Sequence, residues 1–143
     1  MKKIDEKLLE VHGYEGTGYK PLIDYDKWRV AILRYCDELL PERIDKMQRH
    51  NETDEVFVLL EGRCILFIGE GNNTITSITG IDLESRKIYN VKRGVWHSHT
   101  LRTDASVLVV ENCDTTIQNS PKTPLNDTQR RQIVGITHEL WQE

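Results

Sequence analysis

Residues 47–62 of the chain, MQRHNETDEVFVLLEG, decide the fold. The first eight residues are mostly polar or charged, and the next six are almost all apolar strand formers. Gln48, His50 and Glu55 therefore stand together at the start of a strand that is expected to be buried. Because burying a polar group without a partner costs a few kcal/mol, these side chains either face water or share one partner.

The composition of the chain narrows the classes of function. It has 143 residues and a formal net charge of −4, which indicates one domain of ordinary size. An acidic balance without a basic stripe argues against nucleic-acid binding. No apolar run reaches the length of a membrane span, and the basic N-terminus leads into no apolar signal core. We therefore expect neither a membrane segment nor a secretion signal.

The cysteines indicate the redox compartment. Cys36, Cys64 and Cys113 are odd in number, and no two of them stand at C-x-x-C spacing. This pattern argues against a disulfide framework and against a zinc ribbon. Cys64 lies in an apolar strand and is expected to be a small buried hydrophobe. The reducing cytoplasm is the expected location.

Short apolar runs follow each other at a spacing of about ten residues. The stretch EVFVLLEGRCILFIGEGNNTITSI (55–78) contains three of them, with turn signals at Glu61–Gly62 and at 71–73. Further runs are WRVAILRYC (28–36), two strands around Gly94 in KIYNVKRGVWHSHTL (87–101), and ASVLVVEN (105–112). Strands of this length without intervening helices predict an all-β sandwich or small barrel.

The ends of the chain differ from its middle. Residues 1–27 are rich in glycine breaks and are expected to be irregular, 28–114 form the barrel, and 115–143 form a loop and a C-terminal helix. Asn126 is placed to cap that helix, with Gln129 in capping-box position. One face of the helix is apolar, through Ile133, Ile136 and Leu140, with Val134 and Trp141 flanking.

Two of the strands are apolar on both faces. VFVLL (56–60) and CILFI (64–68) carry apolar residues at consecutive positions, so each needs a cover besides the barrel interior. The second cover is the C-terminal helix, the N-terminal segment or a second subunit. We expect the last of these, which predicts a homodimer.

Polar side chains of several strands are expected to converge inside the barrel. Side chains two positions apart share a face of a strand, so Gln48 points the same way as His50, and His97 the same way as His99. Glu55 opens the next strand. If its face is the interior, one carboxylate and several imidazoles meet in an apolar cup.

These residues carry a resemblance to the cupin superfamily. HNETDEVFVLLEG (50–62) resembles the first cupin motif, with four residues between His50 and Glu55 and six between Glu55 and Gly62. RGVWHSHT (93–100) resembles the second, in which Gly94 precedes His97 by three positions. The resemblance implies an RmlC-like double-stranded β-helix, the cupin jelly-roll barrel, with a metal site in its mouth.

The resemblance also implies a set of ligands. Carried over position by position, they are Gln48, His50, Glu55 and His97. Gln48 replaces the first histidine of the usual H-x-H, and Lys92 replaces the usual proline of the second motif. A glutamine two residues before a histidine also serves as a ligand in phosphomannose isomerases of the cupin class. Two histidines and one carboxylate suit a divalent ion such as Zn, Fe, Mn or Ni.

Alternatives remain open for individual residues. His99 is expected either to replace Gln48 as a ligand or to act as an acid or base, because its unperturbed pKa lies near neutrality. His97 has a second interpretation as a hydrogen-bonded core histidine, and the 50–55 segment as a solvated loop. Trp96 is expected in packing, His12 and His138 are expected to be structural or solvated, and Arg102 and Glu111 are expected at the mouth or at strand ends.

The resemblance predicts a metal-dependent enzyme acting on a small polar metabolite, a sugar or a carboxylate. An isomerase, a lyase and an oxygenase all fit, since the ion would act as a Lewis acid in each. The main alternative is a cupin module that binds a small ligand without turnover, which Gln48 slightly favours. A metal-free epimerase using His50 and Glu55, and a purely structural protein, are weaker hypotheses.

Overall fold

The computed structural model describes residues 2–143, which form ten strands, two short 3₁₀ turns and one α-helix. The strands are β1 (Gly18–Tyr25), β2 (Trp28–Arg34), β3 (Lys46–Gln48), β4 (Glu55–Glu61), β5 (Cys64–Glu70), β6 (Ser77–Asp82), β7 (Tyr89–Val91), β8 (Trp96–Leu101), β9 (Ser106–Asn112) and β10 (Lys122–Pro124). The helix is α1 (Asp127–Trp141), and the 3₁₀ turns are Asp37–Leu39 and Pro41–Arg43. The predicted C-terminal helix is confirmed.

Two five-stranded antiparallel sheets face each other. Their strand orders are β1-β2-β9-β4-β7 and β10-β3-β8-β5-β6. Alternate side chains of both sheets enter one apolar core, as strand periodicity requires. Members of that core include Leu33, Phe57, Leu66, Leu101 and Val109. The predicted all-β jelly roll is confirmed.

The turn at Gly62 joins β4 to β5 and needs glycine for two reasons. Its φ is +71°, a left-handed conformation that side chains disfavour. A Cβ there would also lie 2.6 Å from Ala105 Cα, closer than atoms of neighbouring strands can approach. The three strands predicted within 55–78 are present, and this turn lies between the first two.

The two strands predicted around Gly94 are present but lie in different sheets. β7 pairs with β4, whereas β8 pairs with β3 and β5. The chain therefore crosses from one sheet to the other at Gly94, whose φ is +80°. This crossing places His97 opposite Gln48 in the second sheet.

The expectation that residues 1–27 are irregular is wrong for 18–25, which form β1. Gly18 and Pro21 suggested a break, yet β1 is an edge strand, where proline is tolerated because one side of the ladder is unpaired. A register shift between Pro21 and Ile23 absorbs the irregularity. Likewise, part of the segment predicted as a loop forms the short edge strand β10, which pairs with β3.

Helix α1 closes one outer face of the molecule. Its predicted capping box is present: Asn126 Oδ1 accepts from the Gln129 amide, and Gln129 Oε1 accepts from the Asn126 amide. Ile133 and Trp141 are buried against Ile65 and Phe67 of β5 and against neighbouring apolar residues, among them Trp96. The helix lies so close to β6 that a Cβ on Gly80 would stand 2.3 Å from Ile136 Cγ2.

The two doubly apolar strands are covered differently. The outer face of β5 is covered by α1, so that strand needs no second subunit. The outer face of the other sheet is only half-buried: Val56 and Val58 of β4 stand beside Val110 and Leu108 of β9. The apolar outer face that the chain itself leaves uncovered is therefore that of the first sheet.

Candidate metal centre

A cavity of about 340 Å³ lies between the two sheets at one end of the barrel. Gln48, His50, Glu55, His97 and His99, the five residues singled out from the sequence, all line it. Tyr19 of β1 and Glu111 of β9, the latter expected at the mouth or at a strand end, also line it.

Strand periodicity explains why the central three residues point inward. Glu55 opens β4 on the face of the core residue Phe57, and His97 is the second residue of β8, opposite Gln48. His50 follows β3 by two residues. Each of the three is more than nine-tenths buried, with exposed fractions of 7% for His50, 7% for Glu55 and 5% for His97.

The three side chains meet at one point. Glu55 Oε2 lies 2.8 Å from His50 Nε2 and 3.0 Å from His97 Nε2. One ligand atom from each residue falls within 4.8 Å of the other two. The two imidazole rings are 5.4 Å apart between centroids. The structure therefore brings together the three residues that the motifs suggest as a ligand set.

The hydrogen bond of the other ring nitrogen of His97, Nδ1, determines which tautomer the ring adopts. Nδ1 lies 3.0 Å from the Val95 carbonyl oxygen, which can only accept a hydrogen bond. Nδ1 must therefore carry the hydrogen. In the neutral ring, Nε2 then presents a lone pair toward Glu55.

The tautomer of His50 follows from a chain of hydrogen bonds. Asn119 Nδ2 donates to the Asp114 carbonyl at 2.9 Å, which orients its amide. Ser120 donates its hydroxyl to Asn119 Oδ1 at 2.9 Å, so Ser120 Oγ must accept from His50 Nδ1 at 2.7 Å. His50, like His97, therefore points a lone pair from Nε2 at Glu55 when its ring is neutral.

Two lone pairs and a carboxylate oxygen cannot remain so close without a positive charge between them. Neighbouring ligands of a metal ion with bonds of about 2.0–2.2 Å stand roughly 2.8–3.6 Å apart, and the two separations from Glu55 Oε2, 2.8 and 3.0 Å, lie in that range. Each Nδ1 also donates a hydrogen bond to an acceptor, as the second ring nitrogen of a metal-bound histidine usually does. The residues fit a divalent metal ion.

Without a metal, protons supply part of that charge. Burial alone would raise the pKa of Glu55, but the hydrogen bonds from His50 and His97 outweigh it and lower that pKa to about 2. Burial would lower the pKa of His97, yet the hydrogen bond to Glu55 raises it above its ordinary value. The site thus stabilises a carboxylate facing a cation.

Glu111 and Tyr19 form a second polar pair beside these residues. Tyr19 donates its hydroxyl to Glu111 Oε1 at 2.6 Å, while Glu111 Oε2 lies 3.5 Å from His50 Nε2. Burial and the nearby charge of Glu55 raise the pKa of Glu111. The alternation Val107, Val109, Glu111 was a usable signal that this carboxylate faces inward. Tyr19 had no such signal, because its strand was not expected.

The two candidates for completing the site both reach the cavity. Gln48 donates from Nε2 to the Ser120 carbonyl at 3.3 Å and stands beside His97. His99 Nδ1 is buried without a hydrogen-bond partner. Burial lowers the pKa of His99 to about 4, so its ring is neutral at neutral pH. Their roles as a ligand and as an acid or base stay predictions.

The remaining predicted residues lie outside the cavity. Arg102 follows the far end of β8, where its guanidinium stacks on Trp141 at 4.3 Å and pairs with Glu143, so it is not at the mouth. His12 bonds to an exposed glutamate, and His138 is exposed on α1. Both are solvated, which is one of the two alternatives expected for them.

Comparisons with known proteins concern the fold. No protein-family model matches the sequence, and no curated protein matches it either. Hydroquinone 1,2-dioxygenase from Sphingomonas sp. TTNP3, with 4-hydroxybenzoate bound, is similar at a TM-score of 0.54 and 8% identity, over 69% of this chain and 67% of that one. Streptomyces PAC13 with uridine is similar at a TM-score of 0.52 and 7% identity, over 80% and 93%.

A third similar structure is a cupin superfamily protein from Desulfitobacterium hafniense, at a TM-score of 0.49 and 14% identity, over 76% of this chain and 86% of that one. With two facing sheets of the strand order given above, the chain has the cupin fold. Within that class it is a single-barrel form with a C-terminal helix. Among residues 2–143, no helix is long and apolar enough to cross a membrane.

Proposed function

We propose that this protein is a metal-dependent enzyme that acts on a small polar metabolite, a sugar or a carboxylate. His50, Glu55 and His97 would hold the divalent ion. The observation that carries this proposal is the convergence of two imidazole lone pairs on Glu55 Oε2, at 2.8 and 3.0 Å, with both Nδ1 atoms engaged behind them. The cavity of about 340 Å³ is at the small end of ligand sites, which supports a metabolite of modest size.

Several residues of the chain would have defined roles beside the ion. A bound divalent ion would polarise a carbonyl, hydroxyl or carboxylate of the substrate. Ser120 and Val95 hold the two imidazoles in one tautomer, and Phe57 packs its ring against His97 at 6.1 Å between centroids. His99 keeps a neutral ring at the cavity because burial lowers its pKa to about 4, so it would orient the substrate by a hydrogen bond rather than take up a proton at neutral pH.

Isomerase, lyase and oxygenase chemistry all fit this arrangement. A donor set of two nitrogens and one oxygen suits Fe, Mn, Zn or Ni. The dioxygenase with 4-hydroxybenzoate and PAC13 with uridine show that similar barrels hold small molecules, and PAC13 is described as a nucleoside dehydratase. A non-catalytic ligand-binding module is the second candidate, because Gln48 places a neutral amide beside His97 where the motif usually has an imidazole.

A turnover screen tests the enzyme proposal. Chelator-treated protein would be reloaded separately with each of the four metals and incubated with sugars, sugar phosphates, keto acids and hydroxy acids, with loss of compound followed by mass spectrometry. We expect metal-dependent loss of one class of compound. The exposed α1 variant Glu139→Gln should behave as the wild type. Metal-loaded protein that binds a compound yet leaves its amount unchanged would favour the binding module.

We also propose that the protein is a homodimer in the cytoplasm. The half-buried rows Val30-Val110-Val56 and Ile32-Leu108-Val58 form a continuous apolar face across three strands, which supports a second copy as its cover. Light scattering should give twice the mass of the chain, and the mass of one chain would contradict the dimer. The free thiols of Cys36, Cys64 and Cys113 support a reducing compartment, and cell fractionation tests that location.

A further inference from the structure

At the wall of the cavity, one carboxylate oxygen of Glu111 accepts no hydrogen bond. Among residues 2–143, four buried side-chain nitrogen or oxygen atoms have no hydrogen-bond partner, and three of them, Glu111 Oε2, His99 Nδ1 and Ser98 Oγ, belong to residues that line this cavity. Glu111 is 7% exposed. Buried polar groups almost always have partners, so unpartnered atoms on both sheets around one cavity point to a ligand that supplies those partners.

Tyr19 fixes the direction of that free oxygen. Its hydroxyl occupies Glu111 Oε1 at 2.6 Å, which leaves Oε2 as the acceptor. Oε2 lies 3.5 Å from His50 Nε2 without bonding to it, and Glu111 is not one of the three residues whose atoms lie within 4.8 Å of one another. Glu111 is therefore placed to receive a donor from a molecule beside the metal ligands.

The charges around Glu111 indicate the kind of donor. A carboxylate of the ligand would be repelled by Glu111 and Glu55. A ligand ammonium would be repelled by a metal ion held at His50, Glu55 and His97. A neutral hydroxyl group avoids both repulsions and donates one hydrogen bond, which is all that Oε2 needs.

The rim of the cavity has the opposite charge. Lys46 shares the face of Gln48 on β3, and Lys122 stands directly opposite Gln48 on β10, so both lysines lie on the cavity side of the sheet. Lys46 Nζ lies 3.9 Å from Asp45 Oδ1. Both lysines are exposed, so they select and steer an anion more than they bind it tightly.

We propose that the cavity takes a small hydroxylated anion, whose hydroxyl donates to Glu111 Oε2 and whose anionic group lies at Lys46 and Lys122. This inference rests on the proposed function, because it uses the metal at His50, Glu55 and His97 to exclude a cationic ligand. It narrows the substrate to hydroxy acids or hydroxylated phosphates, which share an anionic group at one end and a hydroxyl at the other.

Matched pairs of compounds test this proposal by calorimetry on zinc-loaded protein. The pairs are lactate with propionate, malate with succinate, and glycerol 3-phosphate with propyl phosphate. The first two pairs test carboxylates as the anionic group, and the third tests a phosphate. We expect the hydroxylated member of at least one pair to bind at least ~10-fold more tightly, as hydrogen bonds to charged groups usually allow. Glu111→Gln should reduce that ratio to about 3-fold or less.

Further variants separate the two ends of the ligand. Tyr19→Phe, which keeps Glu111 but removes the hydrogen bond that orients its carboxylate, should lower the same ratio. The double variant Lys46→Ala/Lys122→Ala should weaken both members of a pair by similar factors and leave the ratio unchanged. Glu139→Gln on the exposed face of α1 is the matched control for charge removal. Melting curves of each variant establish that it is folded.

Several outcomes would overturn the inference. Equal binding of the two members in all three pairs, an unchanged ratio in Glu111→Gln, or no binding of any compound to zinc-loaded protein would each exclude it. Metal analysis of the same samples separates this failure from that of the proposed function. A wild type that holds zinc but ignores the hydroxyl refutes only the ligand class, whereas a wild type that holds no zinc refutes the metal centre.

Discussion

Replacement of both His50 and His97 by alanine should abolish metal binding. Wild-type protein purified without a chelator should carry about one divalent ion per chain, and the double variant less than about a tenth of that. Of the three donor atoms that meet within 4.8 Å, only the Glu55 carboxylate would remain. A single carboxylate does not hold a transition metal against buffer. Elemental mass spectrometry of both proteins measures the difference directly.

The same replacement should remove the stabilisation that metal confers. A ligand present at about 100 times its dissociation constant stabilises the folded state by ~2.7 kcal/mol. For a chain of this size that corresponds to a rise in melting temperature of roughly 8 °C. We expect this rise in the wild type on adding zinc, and none in the double variant.

A matched control removes two other histidines. His12→Ala/His138→Ala deletes the same number of imidazoles from exposed positions outside the cavity. It should keep the wild-type metal content and the wild-type response to zinc. If the two double variants hold equal amounts of metal, the assignment of His50 and His97 as ligands is wrong.

Replacement of the buried Phe57 by alanine should strongly lower the free energy of unfolding. Phe57 is fully buried, in the core shared by both sheets, and its ring contacts His97 and His99 at 6.1 and 5.9 Å between centroids. Removing a buried phenylalanine side chain costs about 3–5 kcal/mol, since apolar contacts are lost and a cavity remains. Urea unfolding should show this loss in the free energy of unfolding.

An exposed apolar residue provides the comparison for Phe57. Ile117 is 89% exposed in the loop before β10, and Ile117→Ala should change the free energy of unfolding by about 0.5 kcal/mol or less. A loss below about 1 kcal/mol for Phe57→Ala would mean that the barrel interior is not packed as described. Because Phe57 supports His97, we also expect weaker zinc binding in the folded fraction of this variant.

Local patterns were enough to predict the strands at the centre of the barrel. The apolar runs that became β4, β5, β8 and β9 have lengths and turn signals typical of strands, and the cap at Asn126 marked the start of α1. The edge strands β1 and β10 were missed. Edge strands tolerate proline, and Pro21 and Pro124 both occur in them, so the residues that usually end a strand gave a false signal.

The inward direction of most site residues was also predictable. Alternation places Glu55 with Phe57, and His97 with His99, because side chains two apart on a strand share a face. Glu111 was expected at the mouth or at a strand end, and the same rule applied to Val109 selects the inward position that the structure shows. Tyr19 could not be found in this way, since its position depends on β1 adding to the edge of a sheet whose other strands lie far along the chain.

Taken alone, the amino-acid sequence determined which residues form the central strands, which faces of those strands are apolar, and which polar side chains interrupt those faces. The tertiary structure decided which of these side chains meet. His50, Glu55 and His97 come from the end of β3, the start of β4 and the start of β8, and β4 and β8 lie in different sheets. Their separation of about 3 Å results from the packing of the two sheets over a common core, which depends on contacts between residues distant in sequence. Periodicity acts over a few residues and carries no information about such contacts.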